Sequence, residues 1–272
     1  MVTELIQYII LGTLQGIFEW LPISSEGILF LVNANIFNNT NLDIVIRQAL
    51  FLHLGTFFAA LIYFRKQVWK LTKTIFQYKK SESETKSVLK FLIITTIITS
   101  VLGLIILIGL KSLEQYFEIS GIIITFAIGI LLLFTAIIQI QASKQDSTLR
   151  KSKDIKKSDS ILLGIMQSLA VLPGVSRSGT TISTLLLKKF NDTTALKLSF
   201  LMSLPIVFLG NIVLAIEDVT LTSFSLVGLA FSFIFGILTI HILMKLSRKI
   251  NFGYFVLIFA ILVLLAGVLM MI

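Results

Sequence analysis

Residues 163–184, LGIMQSLAVLPGVSRSGTTIST, decide how the rest of this chain is read. They lie in a strongly apolar sequence yet hold Arg177, the hydroxyl residues Ser176, Ser178 and Thr180, and one of only three prolines. A charge at membrane depth costs roughly 3 kcal/mol or more, so an intramembrane arginine marks a candidate functional site. The residues around it suit one task, holding an anion. Arginine presents a planar fork of donors that matches phosphate oxygens. Gly174 and Gly179 let the backbone turn and expose its N–H groups, and a helix expected to start near Thr180 adds its positive end. The plainer alternative is that Arg177 pairs with a carbonyl or carboxylate and pins two helices.

Composition extends the membrane reading to the whole chain. Of 272 residues, 56% are hydrophobic and 14% charged, and the mean hydropathy is +0.97. A soluble domain with a large core is excluded. The net charge of +9 could point to nucleic acid, but the basic residues are confined to short connections between apolar segments. They read as topology signals and headgroup contacts, and no nucleic-acid partner is expected. There is no cysteine, which excludes disulfides and thiolate metal sites. The N-terminus shows neither a basic n-region nor a small-residue cleavage site, so no removable signal peptide is expected.

Working outward from the arginine, the segment 161–187 is broken at its Pro and Gly, and a second broken segment stands at 5–31, interrupted by Leu21-Pro22-Ile23-Ser24-Ser25-Glu26-Gly27. Pieces this short do not each cross about 30 Å of hydrocarbon, which predicts re-entrant pairs of half-helices. Full spans are expected at 45–64, 91–110, 121–141, 198–216, 223–244 and 252–272, with a flexible surface connection at 142–160. The connections 65–90, 142–160, 188–197 and 245–251 hold twenty of the twenty-three basic residues. By the positive-inside rule they face the cytoplasm and both termini face outward.

The two broken segments also resemble each other. Leu11-Gly12-Thr13-Leu14-Gln15 aligns with Leu163-Gly164-Ile165-Met166-Gln167, and after a one-residue slip Pro22 to Gly27 matches Pro173 to Gly179. Each copy is followed by three spans. An odd number makes the second copy enter from the opposite face, which gives inverted repeats whose broken helices meet near the midplane. The expected fold is therefore an all-α integral membrane protein of two inverted-topology repeats, each a re-entrant broken helix pair plus three transmembrane helices. The first repeat covers 1–142, a cytoplasmic linker 143–160, and the second repeat 161–272.

If the breaks meet, they gather Gln15, Glu19, Ser24, Ser25 and Glu26 with Ser176, Arg177, Ser178, Gly179, Thr180 and Thr181. Glu19 lies four residues after Gln15, on the same helical face. A buried carboxylate beside a hydroxyl can act as a general base or hold a divalent cation, and it can also neutralise Arg177. A serine within its reach could be a nucleophile. Ser24 and Ser176, beside Pro and Gly, read more simply as helix caps. Gln15 reads as orienting Glu19. His53, on the first full span, reads as a packing residue that a span next to the site could bring close.

The run Gln15-Gly16-Ile17-Phe18-Glu19-Trp20-Leu21-Pro22-Ile23-Ser24-Ser25, followed later by Pro173-Gly174-Val175-Ser176-Arg177-Ser178-Gly179-Thr180-Thr181, resembles the undecaprenyl-pyrophosphate phosphatase family, known for bacitracin resistance. His53-Leu54-Gly55-Thr56 and Tyr63-Phe64-Arg65 are similar to it as well. The resemblance implies an integral membrane phosphatase of the cell membrane that removes the terminal phosphate of a polyprenyl diphosphate, with its pocket open to the outer side. It also implies Mg²⁺ or Ca²⁺, with Glu19 as the metal ligand. Glu19, Ser25 and Arg177 are the expected catalytic residues. Gln15, Ser24, Ser176, Ser178, Gly179, Thr180 and Thr181 are expected to bind substrate. One position departs: Ile28 stands where the family carries a histidine, which leaves Glu26 or His53 as accessory candidates, or Glu19 with a metal. The expected partners are the lipid diphosphate and membrane lipids, with a second copy of the chain as a candidate. A polyprenyl-phosphate flippase without hydrolysis is the alternative function, since a midplane anion site between inverted repeats also suits a transporter.

Overall fold

The computed structural model describes residues 2–39, 41–114, 126, 129, 130, 132–134, 136, 137, 140, 141, 150–172, 175–216, 222–246 and 252–269. Among them the chain is all-helical, with one isolated bridge between Arg150 and Phe190. The helices are α1 (Val2–Phe18), α2 (Ser25–Ile36), α3 (Leu42–Tyr63), α4 (Arg65–Phe76), α5 (Ser83–Glu114), α6 (Lys157–Ser168), α7 (Arg177–Leu187), α8 (Asp192–Ile216), α9 (Ser223–Leu246) and α10 (Phe252–Leu269). Four described helices are long and apolar enough to cross a membrane, over Ile44–Tyr63, Ser83–Gly109, Asp192–Ile212 and Ser223–Leu246. The expected span 121–141 falls largely outside the described residues, as do the 217–222 and 245–251 turns, Pro173 and Gly174.

Both breaks fall where the sequence places them. α1 stops at Phe18, short of Pro22, which disfavours helical backbone in the residue before it. α2 starts at Ser25, and the Ser24 hydroxyl accepts the Gly27 N–H at 3.2 Å as its N-cap. α7 starts at Arg177 rather than near Thr180, because the Ser176 hydroxyl takes the same role by accepting the Gly179 N–H at 3.0 Å. Each cap lies nine residues after its glutamine, Ser24 after Gln15 and Ser176 after Gln167, so the caps are in register without a slip. The slip is needed only to align the prolines. Both half-helices end alike, with a non-glycine residue at positive φ, Asn38 at 53° and Lys189 at 66°. Beyond these, Asn39 N–H returns to Asn33 O and Phe190 N–H to Leu185 O.

Two expected connections are more ordered than the sequence suggested. Residues 65–90 form α4 and the first turns of α5, since Lys, Thr and Glu are compatible with a helix that buries Leu71 and Thr74 and exposes its charges. The linker's second half is tied down as well. Arg150 donates to both oxygens of buried Asp159, at 3.3 and 2.5 Å, and to the carbonyls of Asp154 and Lys188, while its guanidinium lies 4.2 Å from the Phe190 ring centroid. This strap joins the start of α6 to the α7–α8 corner.

Small residues set the helix packing, as they do where lipid provides no hydrophobic drive between helices. α1 lies against α9 so closely that a Cβ at Gly12 would overlap the carbonyl oxygen of Gly228. α6 lies against α5, where a Cβ at Gly164 would come within 2.7 Å of the Ile98 Cβ. α3 packs on both α8 and α9. Trp20, Phe64 and Phe200 form an aromatic floor where α3, α8 and the first break meet, with the Trp20 and Phe200 rings edge to face at 4.9 Å.

Candidate active site

Glu19 sits one residue past α1, and its N–H still donates to Gln15 O at 3.1 Å, so the helical register holds. The two side chains therefore share a face, and Gln15 Nε2 donates to Glu19 Oε2 at 2.9 Å. The first residue of α2 reaches the same atom: Ser25 Oγ donates to Oε2 at 2.9 Å. From α3, His53 Nε2 approaches Oε2 at 2.9 Å. From the first turn of α7, Arg177 Nη2 donates to Oε1 at 2.5 Å. Four segments, distant in sequence, thus converge on one carboxylate that is only 6% exposed. The breaks do meet, and polar side chains from both converge there.

Burial decides what this cluster is worth. An unpaired buried carboxylate or guanidinium costs several kcal/mol, whereas a pair with further hydrogen bonds recovers much of it. Arg177 completes its fork by donating Nη1 to Ser199 O at 3.3 Å, and its guanidinium carbon lies 5.7 Å from the Trp20 ring centroid. His53 Nδ1 lies 2.5 Å from Ala49 O, and a carbonyl only accepts, so Nδ1 carries a proton. Nε2 facing a carboxylate oxygen then requires one more proton on one of the two atoms. His53 and Glu19 therefore share a proton between them.

The first residues of α2 and α7, Ser25 and Arg177, both sit at helix N-termini and both point at Glu19. Two partial positive charges are thus aimed at one spot, the arrangement that binds phosphate elsewhere.

The hydroxyls around Arg177 are turned to protein. Ser178 Oγ donates to Leu21 O at 2.6 Å, which ties the second half-helix to the first break. Thr180 and Thr181 donate to Arg177 O at 3.1 and 2.8 Å, and the Thr181 hydroxyl also meets Ser199 Oγ at 2.7 Å. They hold the arginine's backbone. Ser24, Ser176 and Gly179 are occupied in the two caps. Glu26 is half-buried and within electrostatic reach of His53 and Glu19. Ile28 lies in an apolar cluster with Ile23, Phe30 and Val45. Ser199 was absent from the sequence reading, and a hydroxyl inside an apolar span was its only signal.

The divalent cation is expected at Glu19, whose carboxylate already meets four protein groups. Gln15, Ser25 and His53 crowd one oxygen, Oε2, while Arg177 alone approaches Oε1. Among the described residues no three His, Cys, Asp or Glu side chains gather as a metal site.

Comparison with known proteins agrees with this geometry. Residues 8–267 match the family model described as "Bacitracin resistance protein BacA". An undecaprenyl-diphosphatase of Methanococcoides burtonii is 41% identical over 93% of this chain and 94% of its own length. Undecaprenyl-diphosphatases of Haloarcula marismortui and Methanococcus vannielii are 36% and 35% identical, over 90% and 91% of this chain and 90% and 94% of theirs. With nearly the whole chain matched, and a charged cluster at its centre built from the two broken segments, the protein belongs to the bacitracin resistance protein BacA family.

Proposed function

We propose that this chain is a membrane phosphatase that hydrolyses a polyprenyl diphosphate of the undecaprenyl type to the monophosphate and inorganic phosphate, recycling a lipid carrier in the cell membrane. The observation that carries the reading is Glu19, whose carboxylate bridges a serine hydroxyl and an arginine fork where two half-helix N-termini converge. Family membership and the relatives' activity support the substrate class. Transport without hydrolysis has no comparable support.

In the resting arrangement Glu19 occupies one arm of the Arg177 fork, Nη2, and Ser199 O the other. The terminal phosphate of the substrate takes the place of Glu19, and Arg177 with the N-termini of α2 and α7 stabilises the charge that builds on the phosphoryl oxygens. Glu19, released from Arg177 but still held by Gln15 and His53, takes the proton of Ser25. The Ser25 oxygen forms a bond to the terminal phosphorus while the bridging P–O bond breaks, and its electron pair leaves on the polyprenyl monophosphate. Water then attacks the phosphoserine, inorganic phosphate departs, and the stored proton returns to Ser25.

Inverted repeats are part of the same proposal. They are supported by the equal glutamine-to-cap spacing, the matched helix ends, and the exchange-related packing of α1 on α9 and α6 on α5. The lysine-rich connections then face the cytoplasm and the pocket the outer side. A cysteine at Lys153 or Ser83, both exposed, should resist an impermeant thiol reagent in intact cells, while one at Asn35 reacts. Equal labelling of all three would end the topology assignment.

The function itself is tested by giving purified protein undecaprenyl diphosphate, with Mg²⁺ and with chelator. Release of inorganic phosphate that is lost in Ser25→Ala and Glu19→Gln is the expected result. A folded protein that binds the lipid diphosphate and releases no phosphate under either condition would overturn the reading.

A further inference from the structure

Away from the charged cluster, α4, α5 and α8 enclose an apolar cleft of about 360 Å³. Val68 and Leu71 form one wall, Ile93 and Ile97 a second, and Leu204 and Pro205 a third. Pro205 lacks an N–H, so the continuous helix α8 is missing one ladder hydrogen bond beside the cleft. The α5 wall belongs to the candidate span Ser83–Gly109, most of whose residues lie outside the protein interior, and Ile93 and Ile97 are about half exposed. The cleft therefore opens towards the hydrocarbon of the bilayer. An acyl chain of a membrane lipid suits such a surface there.

The sequence around its mouth supplies the headgroup preference. Lys90, Ile93 and Ile97 are spaced i, i+3, i+7 and share one face of α5, with Lys86 one turn earlier. From Lys90 to Ile97 the helix rises about 10 Å, so a charge stands directly above the apolar wall. The two ammonium groups lie 5.4 and 5.8 Å from the Tyr78 ring centroid, and Lys86 Nζ also donates to Lys79 O at 3.1 Å. The tyrosine thus gathers two lysines at one point. α3 ends at Tyr63 and α4 starts at Arg65, so α4 begins where that spanning helix leaves the hydrocarbon. Over residues 65–81 there are six basic residues and no acidic one. Trp69 and Phe76 stand exposed among these cations, the composition of a helix lying in an anionic interface.

We propose that this cleft is a binding site for a lipid with an anionic headgroup, its chain lying along Ile93 and Ile97 and its phosphate on Lys86 and Lys90. It shares no residue with the Glu19 cluster, although Leu201 in its lining stands two residues from Ser199, whose carbonyl accepts from Arg177. The occupant is an anionic membrane phospholipid, one of whose two acyl chains lies in the cleft below its phosphate.

Full-length protein in detergent, titrated with dioleoyl phosphatidylglycerol or dioleoyl phosphatidylcholine and read by native mass spectrometry, tests this. Two lysines at the surface correspond to a preference of about thirty-fold for the anionic lipid. Lys86→Gln with Lys90→Gln should abolish that preference, and Ile97→Trp, which fills the cleft, should abolish retention of the lipid. Glycerol 3-phosphate, a headgroup without a chain, should not compete. Phosphate release in the variants should stay within about twofold of wild type, as neither change touches a group that contacts the substrate phosphate. Undiminished preference in the double lysine variant, retention in Ile97→Trp, or displacement by glycerol 3-phosphate would each overturn the site. Failure here leaves hydrolysis intact, so it is distinguishable from failure of the phosphatase reading.

Discussion

The two broken segments solve the same backbone problem and contribute opposite chemistry. In each, a helix halts after a glutamine, the chain turns, and a serine caps a new half-helix with glycine at its third residue. The residue after the cap is Ser25 in the first segment and Arg177 in the second, a nucleophile candidate against a cation. The first segment adds the anion, Glu19, while Val171 stands at the equivalent position of the second. The two segments thus share a backbone plan and carry complementary side chains, so neither holds the charged cluster alone. The halves are joined by the Glu19–Arg177 pair and by the Ser178 hydroxyl on Leu21 O.

If that complementarity is the core of the site, its largest signature is non-additivity. Arg177→Ala or Glu19→Gln each leaves a buried partner without its counter-ion, at a cost of about 3–5 kcal/mol in stability. Each should also lower phosphate release by about a hundredfold or more. The double variant Glu19→Gln, Arg177→Met removes both charges, so it should be more stable than the sum of the single changes predicts by about 1 kcal/mol or more, yet remain inactive. Thermal melts beside a phosphate assay separate the two. Additive stability losses would mean the halves are not coupled through this pair. Arg177→Lys keeps charge without the fork and should stay well below wild type.

Ser25→Ala tests the difference between the two residues that follow the caps. Loss of phosphate release by about a thousandfold or more, with the protein still folded, fits attack by Ser25. A loss of about tenfold fits a water positioned by the hydroxyl instead. Trapping phosphoserine after rapid acid quench gives an independent reading.

How much of this was legible beforehand follows from which groups carry charge. Arg177 and Glu19 stood out because a charge in an apolar run has few explanations, and their spacing from Ser and Gly placed both breaks. Ser24 and Ser176 read as caps and are caps. His53 was undervalued, since a single histidine on a span carries no mark of what faces it, and its partner lies 34 residues earlier in another segment. Ser178, Thr180 and Thr181 were assigned to an anion, but their acceptors are backbone carbonyls, which every residue has and no sequence pattern reveals. Ser199 was missed for the same reason. The helices at 65–76 and 157–168 ran into expected connections because charged residues do not break helices, and their packing partners lie far away in sequence.

His53 gives a smaller effect that sharpens the role of the third element at the site. Its two ring nitrogens meet Glu19 and the Ala49 carbonyl, so it acts through Glu19 as a positioning residue. His53→Leu removes the contact and frees the carboxylate to turn, and a misplaced group of this kind costs about a hundredfold in turnover. His53→Gln keeps a donor near Oε2 and should recover much of that loss. Turnover should fall while KM stays near wild type, because Arg177 is untouched. Equal losses in Leu and Gln, with KM raised in both, would mean that His53 serves packing alone.

The finest comparison lies in the two glutamines, which occupy equivalent places and differ only in their partner. Gln15 Nε2 donates to the Glu19 carboxylate, and Gln167 Nε2 donates to the Thr99 hydroxyl at 3.2 Å, where Thr99 in turn donates to Gly164 O. In both residues Oε1 is buried without a hydrogen-bond partner. Flipping the Gln15 amide would satisfy nothing, since it would set Oε1 against a carboxylate oxygen. Replacing either glutamine by leucine removes one donor and one unsatisfied carbonyl together, and these act in opposite directions on stability. For Gln167→Leu the lost bond is neutral, worth about 1 kcal/mol, and relief of the carbonyl offsets much of it. Stability should change by less than about 1 kcal/mol and phosphate release should stay within about twofold. For Gln15→Leu the lost bond holds a charged group in the site, so turnover should drop by about tenfold at similar stability. Matching activity losses in the two variants would show that the glutamines serve the shared backbone turn rather than Glu19. A loss confined to Gln15 would place the division between common scaffold and separate chemistry at the side chain of that residue.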